Sequence, residues 1–243
     1  MVLARGAMLD AVRKQLAVDM NCDPDAFIKD EVVFCEAAEG RRPFDRQTPY
    51  LEAATMGHGI VVSCEKDIQG IVQHQLKGKS REELFSAPLF YGHALYYIPE
   101  SPFIKELPCP DGFSLQAAHG EQIHALYEYP EFHNALMYDP NHPRPDTLAL
   151  YAVYGDEIAG VAGVSADCKS LWQIGIDVKI AYRGCGLAAC LVSRLAMITM
   201  KLGIVPYYGT ASSNIPSQAV AHRSGFAPVW MCTYKNTLSK DEV

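Results

Sequence analysis

Between the apolar alternation "LWQIGIDV" at 171–178 and a run of helical spacing lies "AYRGCGLAACLV" at 181–192, a stretch thinned to glycine and alanine. A strand that enters a helix through small residues exposes the helix's first backbone N–H groups and lets a ligand approach the main chain. With the positive end of the helix dipole, those donors suit a phosphate or pyrophosphate. The competing reading is that Gly184, Gly186 and Ala188 are small for packing alone.

Spacing narrows the ligand. No G-x-x-x-x-G-K-[ST] occurs, which argues against a P-loop kinase or ATPase. Gly184, Gly186 and Ala189 come closest to G-x-G-x-x-G, but an antiparallel hairpin precedes the strand, and a dinucleotide fold orders its elements otherwise. Other groups able to do chemistry surround the turn in sequence. Asp177 is a carboxylate set in an apolar strand: burial would make it a proton acceptor near neutral pH, whereas a bond to a backbone amide or an Arg would make it structural. Tyr207 and Tyr208 end the next strand, and Ser217 follows on a helix. Cys185 and Cys190, inside the turn and its helix, do not read as nucleophiles. His119, His124 and His133 lack metal-site spacing and His222 reads as solvent-facing, so no metal ligands are assigned.

These residues need a framework of strands and helices. Leu9, Val12, Leu16 and Met20 predict an opening helix, and "DPDAF" a short one capped by Asp23 with Pro24 at its first position. From 32 to 100, "EVVFCEA", "YLEAATM", "GIVVSCE" and "HALYYIP" read as strands, with "KDIQGIVQHQLKG" and "SREELFS" as helices. Prolines 99, 102, 108 and 110 make 100–112 a linker and place a domain boundary near 110, giving regions 1–110 and 111–243. Next come a strand "GFSLQA", a helical stretch at about 119–136 and a Pro-rich loop at 139–146. "TLALYAVY" and "IAGVAGVSA" then form a hairpin turning at Gly155 and Asp156. After "LWQIGIDV" the helix presents Leu187, Leu191, Leu195, Ile198 and Leu202 on one face and stops at Gly203. "VPYYGTA", "NIPSQAVAHRSG" and "FAPVWMCTY" follow as strand, helix and strand.

Composition sets outer limits. A chain of 243 residues, 49% hydrophobic and 20% charged, is expected to be globular and to bury a large core. A formal charge of -7 without a Lys/Arg run argues against nucleic acid, and "GRRPFDR" at 40–46 reads as a solvated loop. No apolar run is long enough for a membrane span, and Arg5, Asp10, Arg13 and Lys14 interrupt the amino terminus. Both facts point to the cytoplasm, with no membrane partner. Eight scattered cysteines without a C-x-x-C pair read as reduced and mostly buried.

"RGCGLA" fits R/Q-x-x-G-x-G/A. With the strand before it and the later "SSNIPSQAVAHRSGF", the chain from about 113 to 235 resembles the GNAT (GCN5-related) N-acetyltransferase superfamily. The resemblance implies an α/β (α+β) fold, a mixed and mainly antiparallel sheet flanked by helices. It implies direct acyl transfer from acetyl-CoA to an amine of a small-molecule or peptide acceptor, without metal. Main chain from Ile176 through Val178, Lys179 and Ile180 would pair with the pantetheine arm. The amides of Arg183, Gly184, Cys185, Gly186, Leu187 and Ala188 would wrap the pyrophosphate, and Asn214 and Ser217 would meet the pantetheine. Asn214 also reads as a helix cap. The tyrosine that family members often carry four residues before the final Gly-Phe is Ala221 here, which leaves Ser217, Tyr208 or Tyr207 as the acid, or a thiolate that departs unaided, and Asp177 as the base. Residues 1–110 would be a second acyltransferase-like half, a substrate lid or a homodimer surface. A non-catalytic acyl-CoA-binding sensor is the rival reading. The acceptor is sought in residues 127–146, "YEYPEFHNALMYDPNHPRPD".

Overall fold

The computed structural model describes residues 3–238. Its strands are β1 (Val32–Glu36), β2 (Leu51–Thr55), β3 (Ile60–Cys64), β4 (Phe90–Pro99), β5 (Phe113–His119), β6 (Asp146–Tyr154), β7 (Glu157–Ser165), β8 (Leu171–Val178), β9 (Val205–Ala211) and β10 (Phe226–Asn236). Its α-helices are α1 (Arg5–Met20), α2 (Gln69–Leu76), α3 (Arg81–Phe85), α4 (Leu187–Lys201) and α5 (Ile215–Arg223). The described chain divides into two compact units: one holds 3–8, 97–209 and 214–227, the other 9–96, 210–213 and 228–238.

The first unit carries the glycine turn. Its strands lie in the order β9-β8-β7-β6-β5, antiparallel except for the parallel pair of β8 and β9. The hairpin of β6 and β7 turns at Gly155 and Asp156, where Gly155 takes a positive φ that most side chains resist. Helix α4 packs on β6, β7 and β8. Phe132, Leu136, Ile123 and Leu126 form a second core with Val161 of β7 and Ala149 of β6.

In the second unit the order is β1-β3-β2-β10, with β1 and β3 parallel and the other pairs antiparallel. Helices α2 and α3 supply Val72, Leu76, Leu84 and Phe85 to its core. Ser80 and Glu83 cap α3 reciprocally, an arrangement whose serine alone is worth about 1 kcal/mol. The mixed, mainly antiparallel α/β architecture inferred from sequence is the one observed.

Four local expectations need correction. The stretch 119–136 is not one helix but two 3-10 segments, Gly120–Glu128 and Pro130–Phe132. Pro130 offers no N–H to continue the first, and Tyr129 between them leaves the helical region at φ -112, ψ 85. Leu202 is 57% exposed because α4 ends one residue earlier, and Gly203 at φ +79 turns the chain away. In α1 the buried residue of the first turn is Met8, in phase with Val12, Leu16 and Met20, while Leu9 is half-buried. The "GRRPFDR" segment is not a solvated loop throughout. Arg42 is 5% exposed and pairs with the equally buried Asp19 at 2.6 Å, while its backbone N–H donates to the same carboxylate at 2.8 Å.

All eight cysteines are free: Cys64, Cys190 and Cys232 buried, Cys185 exposed and the rest half-buried. Among the described residues no helix is long and apolar enough to cross a membrane, and no cluster of His, Cys, Asp or Glu has the arrangement of a metal site.

Candidate acyl-transfer site

β8 pairs with β9 only from Leu171 with Val205 to Ile174 with Tyr208. On its other edge β8 continues beside β7 as far as Val178 opposite Gly160. Gly175 to Val178 therefore keep one edge free of β9, and that open edge leads directly into the glycine turn.

The turn is built by backbone conformation rather than by packing. Gly184 and Gly186 have φ of +86° and +92°, and a β-carbon built on either meets nothing within 4 Å. Space is plentiful, but the left-handed conformation would strain any other residue. Gly186 is the N-cap of α4 and offers no side chain to the helix end. The first intrahelical bond runs from Cys190 N–H to Gly186 O at 3.1 Å, so the amides of Leu187, Ala188 and Ala189 have no acceptor within the helix. Arg183 folds back, its Nε donating to Val178 O at 2.8 Å. Lys179 N–H is bonded to Ala159 O at 2.9 Å. The carbonyls of Lys179 and Ile180 accept from Tyr182 and Arg183 N–H, so four main-chain groups from Val178 to Ile180 are engaged inside the protein, while the Ile180 side chain is 82% exposed.

Beside the open edge, Tyr208 and Ser217 meet with their hydroxyls 2.7 Å apart. Tyr208 is 3% exposed. Burial pushes its phenol above the ordinary value; the Ser217 hydrogen bond opposes that and the Asp177 charge adds to it. Asn214 caps α5, its Oδ1 accepting from Ser217 N–H at 3.2 Å. The cap thereby fixes Ser217 in the first turn, beneath Tyr208. Ala221, one turn on, is fully buried. Tyr207 turns away: its hydroxyl donates to the buried Asp167 and lies 3.3 Å from the Gln173 side-chain amide. Alternation along a strand sends neighbours to opposite faces, so Tyr208 alone of the pair can reach Ser217.

The other face of β8 carries Asp177, which is half-buried. One oxygen accepts from the backbone N–H of Asn134 at 2.6 Å and the other from its side-chain amide at 2.7 Å. The segment around Asn134 lies against the sheet. A β-carbon on Gly175 would sit 1.9 Å from Asn134 O, and one on Gly163, directly opposite in register, 2.0 Å from Ala135 O. Lys179 adds a further tie, reaching Glu131 at 3.1 Å and Glu157 at 2.8 Å. These bonds hold Glu157 below the usual carboxylate range and Lys179 above the usual amine range, while Glu131 is lowered first by a bond from its own backbone N–H and then by Lys179.

Asp146 anchors the far side of this segment. Its Oδ2 accepts from Tyr127 Oη at 2.7 Å and from Met137 N–H at 2.8 Å, while its buried Oδ1 has no partner among the described residues. Burial raises its carboxyl above the ordinary value, opposed by the bonds from Tyr127 and Met137 and by the charges of His142 and Arg144. A carboxyl raised on folding binds more protons in the native than in the unfolded chain, from the unfolded value of about 3.9 up to its native one. Its contribution is fully present below that window and is lost as pH rises through it. Acidification through the carboxylate range, down to the unfolded value of about 3.9, is therefore expected to raise the unfolding temperature of the wild type relative to Asp146→Asn. Parallel pH series of the two melts check this, and coincident slopes would refute it.

Asn134 and Glu131 fall in the 127–146 stretch where the acceptor is sought, but neither they nor Glu157, Gly163 and Gly175, which brace that stretch, stand out individually in the sequence. For the glycines a signal existed, since glycine inside a strand often marks close approach of another backbone.

Comparison with known proteins agrees with this geometry. Residues 114–226 match the family model described as the Acetyltransferase (GNAT) family. An uncharacterized N-acetyltransferase, YdfB of Bacillus subtilis (strain 168), is 27% identical over 192 residues, covering 67% of this chain and 68% of that protein. An acetyltransferase from the GNAT family of Colwellia psychrerythraea superposes with a TM-score of 0.43 at 17% identity, over 61% of this chain and 57% of that one. A GCN5-related N-acetyltransferase from Sphaerobacter thermophilus gives 0.47 at 15% identity, over 60% of this chain and 50% of that one. The chain spans about half the length of these two solved structures. Over residues 114–226 the chain is thus similar to the GNAT acetyltransferase family.

Proposed function

We propose that this chain transfers an acetyl group from acetyl-CoA directly to an amine of a small-molecule or peptide acceptor. The observation that carries the reading is the continuity of the open β8 edge with a glycine turn whose β-carbon positions are empty. A bound acetyl-CoA supplies an activated thioester carbonyl. Main chain of β8 and its continuation, Ile176, Val178, Lys179 and Ile180, would line the pantetheine arm, with the Asn214 and Ser217 turn of α5 opposite. The amides from Arg183 through Gly184, Cys185, Gly186 and Leu187 to Ala188 would hold the pyrophosphate. An anion there is favoured by the helix dipole, and no side chain of the cap competes for the amides.

Attack by a neutral amine forms a C–N bond and breaks the C–S bond, so one proton must leave the nitrogen and one must reach the departing sulfur. In this reading Tyr208, whose phenol burial keeps protonated at neutral pH, would donate the second, and Ser217, 2.7 Å away, would hand on a replacement. Asp177, the sequence-level candidate for the first, has both oxygens engaged by Asn134, and this reading gives the amine proton to solvent. Buried Ala221 favours the second reading, a non-catalytic acyl-CoA-binding protein, because it leaves no acid on α5 where relatives often have one.

Thermal unfolding with acetyl-CoA, and with ADP and NAD as controls, tests the ligand. At a hundred times its dissociation constant acetyl-CoA is expected to add about 2.7 kcal/mol, roughly 5–10 °C for a chain of this size. No shift with acetyl-CoA, or an equal shift with NAD, would overturn the ligand assignment. Thiol release with a panel of amines then separates enzyme from sensor, since a sensor binds acetyl-CoA yet releases no thiol above background.

A further inference from the structure

The Asn134 side chain stands between two groups whose chemistry fixes its orientation. An ionised carboxylate only accepts hydrogen bonds. The Asn134 atom 2.7 Å from Asp177 Oδ1 must therefore be Nδ2, not Oδ1. An amide nitrogen carries two hydrogens. The second lies toward His133, whose Nε2 is 3.3 Å from the same Nδ2. A donor facing Nε2 requires a lone pair there, and a neutral imidazole with its lone pair on Nε2 carries its hydrogen on Nδ1.

We propose that Asp177 and Asn134 are positioning residues that select the Nδ1–H tautomer of the neutral His133 ring. The inference rests on the acyl-transfer reading only for its meaning in the reaction. The geometry itself is independent of any ligand. Asp177 anchors Asn134 twice, through the backbone N–H at 2.6 Å and the side chain at 2.7 Å, so the amide cannot turn over without losing a charge-assisted bond. The chain beneath is equally constrained, because Asn134 O and Ala135 O lie on Gly175 and Gly163. His133 is exposed, and its Nδ1 has no partner among the described residues. That nitrogen is left as a hydrogen-bond donor. In the reaction proposed above it would orient an acceptor that carries an oxygen, and it would not take the amine proton.

The tautomer is read by long-range proton–nitrogen correlation NMR on the labelled full chain without ligand, at a pH where the imidazoles are neutral. His133 is expected to show the Nδ1–H pattern, while exposed His119 and His124 show the Nε2–H pattern usual for free imidazole. Asn134→Ala is expected to return His133 to Nε2–H. Asn134→Asp, which places an acceptor beside Nε2, is expected to put a proton on that nitrogen. Both changes should leave acetyl-CoA affinity, measured by calorimetry, within about threefold. An Nε2–H pattern for His133 in the wild type overturns the proposal without needing any variant, as does an Nδ1–H pattern that survives Asn134→Ala. Failure of acetyl-CoA to bind the wild type would instead sink the acyl-transfer reading and leave the tautomer result standing.

Discussion

Gly175→Ala is expected to destabilise the first unit by about 3 kcal/mol or more, from overpacking and from strained bonds to a carboxylate. For a chain of this size that is a fall of roughly 6–12 °C in unfolding temperature. Intrinsic preference has the opposite sign, since alanine in place of a strand glycine usually gains about 0.5–1 kcal/mol. The added carbon decides the matter. It would lie 1.9 Å from Asn134 O, 2.9 Å from Asn134 C and 3.0 Å from Ala135 Cα, all backbone atoms. No rotamer change relieves contacts with backbone, so the 133–136 segment must lift by more than an ångström. Lifting it stretches the bonds of 2.6 and 2.7 Å that Asp177 receives from Asn134. Gly163→Ala pushes on the same segment, 2.0 Å from Ala135 O. The double variant should therefore lose little more than either single one, because a segment already displaced cannot be displaced again at full cost. Calorimetric melts of the two single variants and the double check this. A change below a degree in Gly175→Ala, or full additivity, would mean that the two glycines do not share one burden.

These glycines also show what a sequence conceals. Strand β8 was legible to the residue, because apolar alternation between turn signals depends on nearest neighbours. The capped start of α5 at Asn214 and the glycine turn were legible for the same reason: their causes lie within a few residues. Gly163 and Gly175 stand in plain view in "GVAGVS" and "QIGIDV", but the backbone that requires them comes from Asn134 and Ala135, far away in the chain. Arg42 is a similar case, since a buried arginine depends on Asp19, 23 residues earlier, to satisfy it. Residues 119–136 misled in another way. Their apolar residues fit a helical period, but Gly120 at φ +55 and Pro130 interrupt the stretch, and its two pieces wind as 3-10 turns. The grouping of 228–238 with 9–96 was not legible either, because strand pairing across such a separation leaves no local trace.

Gly186→Val is expected to raise the dissociation constant for acetyl-CoA at least tenfold, a loss of about 1.4 kcal/mol or more in binding. The substitution strikes nothing, because a β-carbon there meets no atom within 4 Å. Its effect must come through φ, which is +92° in the wild type, where a β-branched residue costs about 1–3 kcal/mol. The chain has two responses. It can keep the left-handed turn and lose stability, or release it and re-aim the amides of Leu187, Ala188 and Ala189. The second spoils an anion site that depends on several N–H groups converging on one place. Gly203→Val is the matched control. Gly203 ends the same helix at φ +79° with equal space around it, at the carboxyl end, where the dipole repels an anion. Both variants should lose comparable unfolding temperature, but only Gly186→Val should lose affinity, as read by calorimetric titration. If both lose affinity equally, the effect is general loosening of α4. If Gly186→Val binds as the wild type does, the turn does not hold the pyrophosphate, and the left-handed glycines serve the chain's path alone.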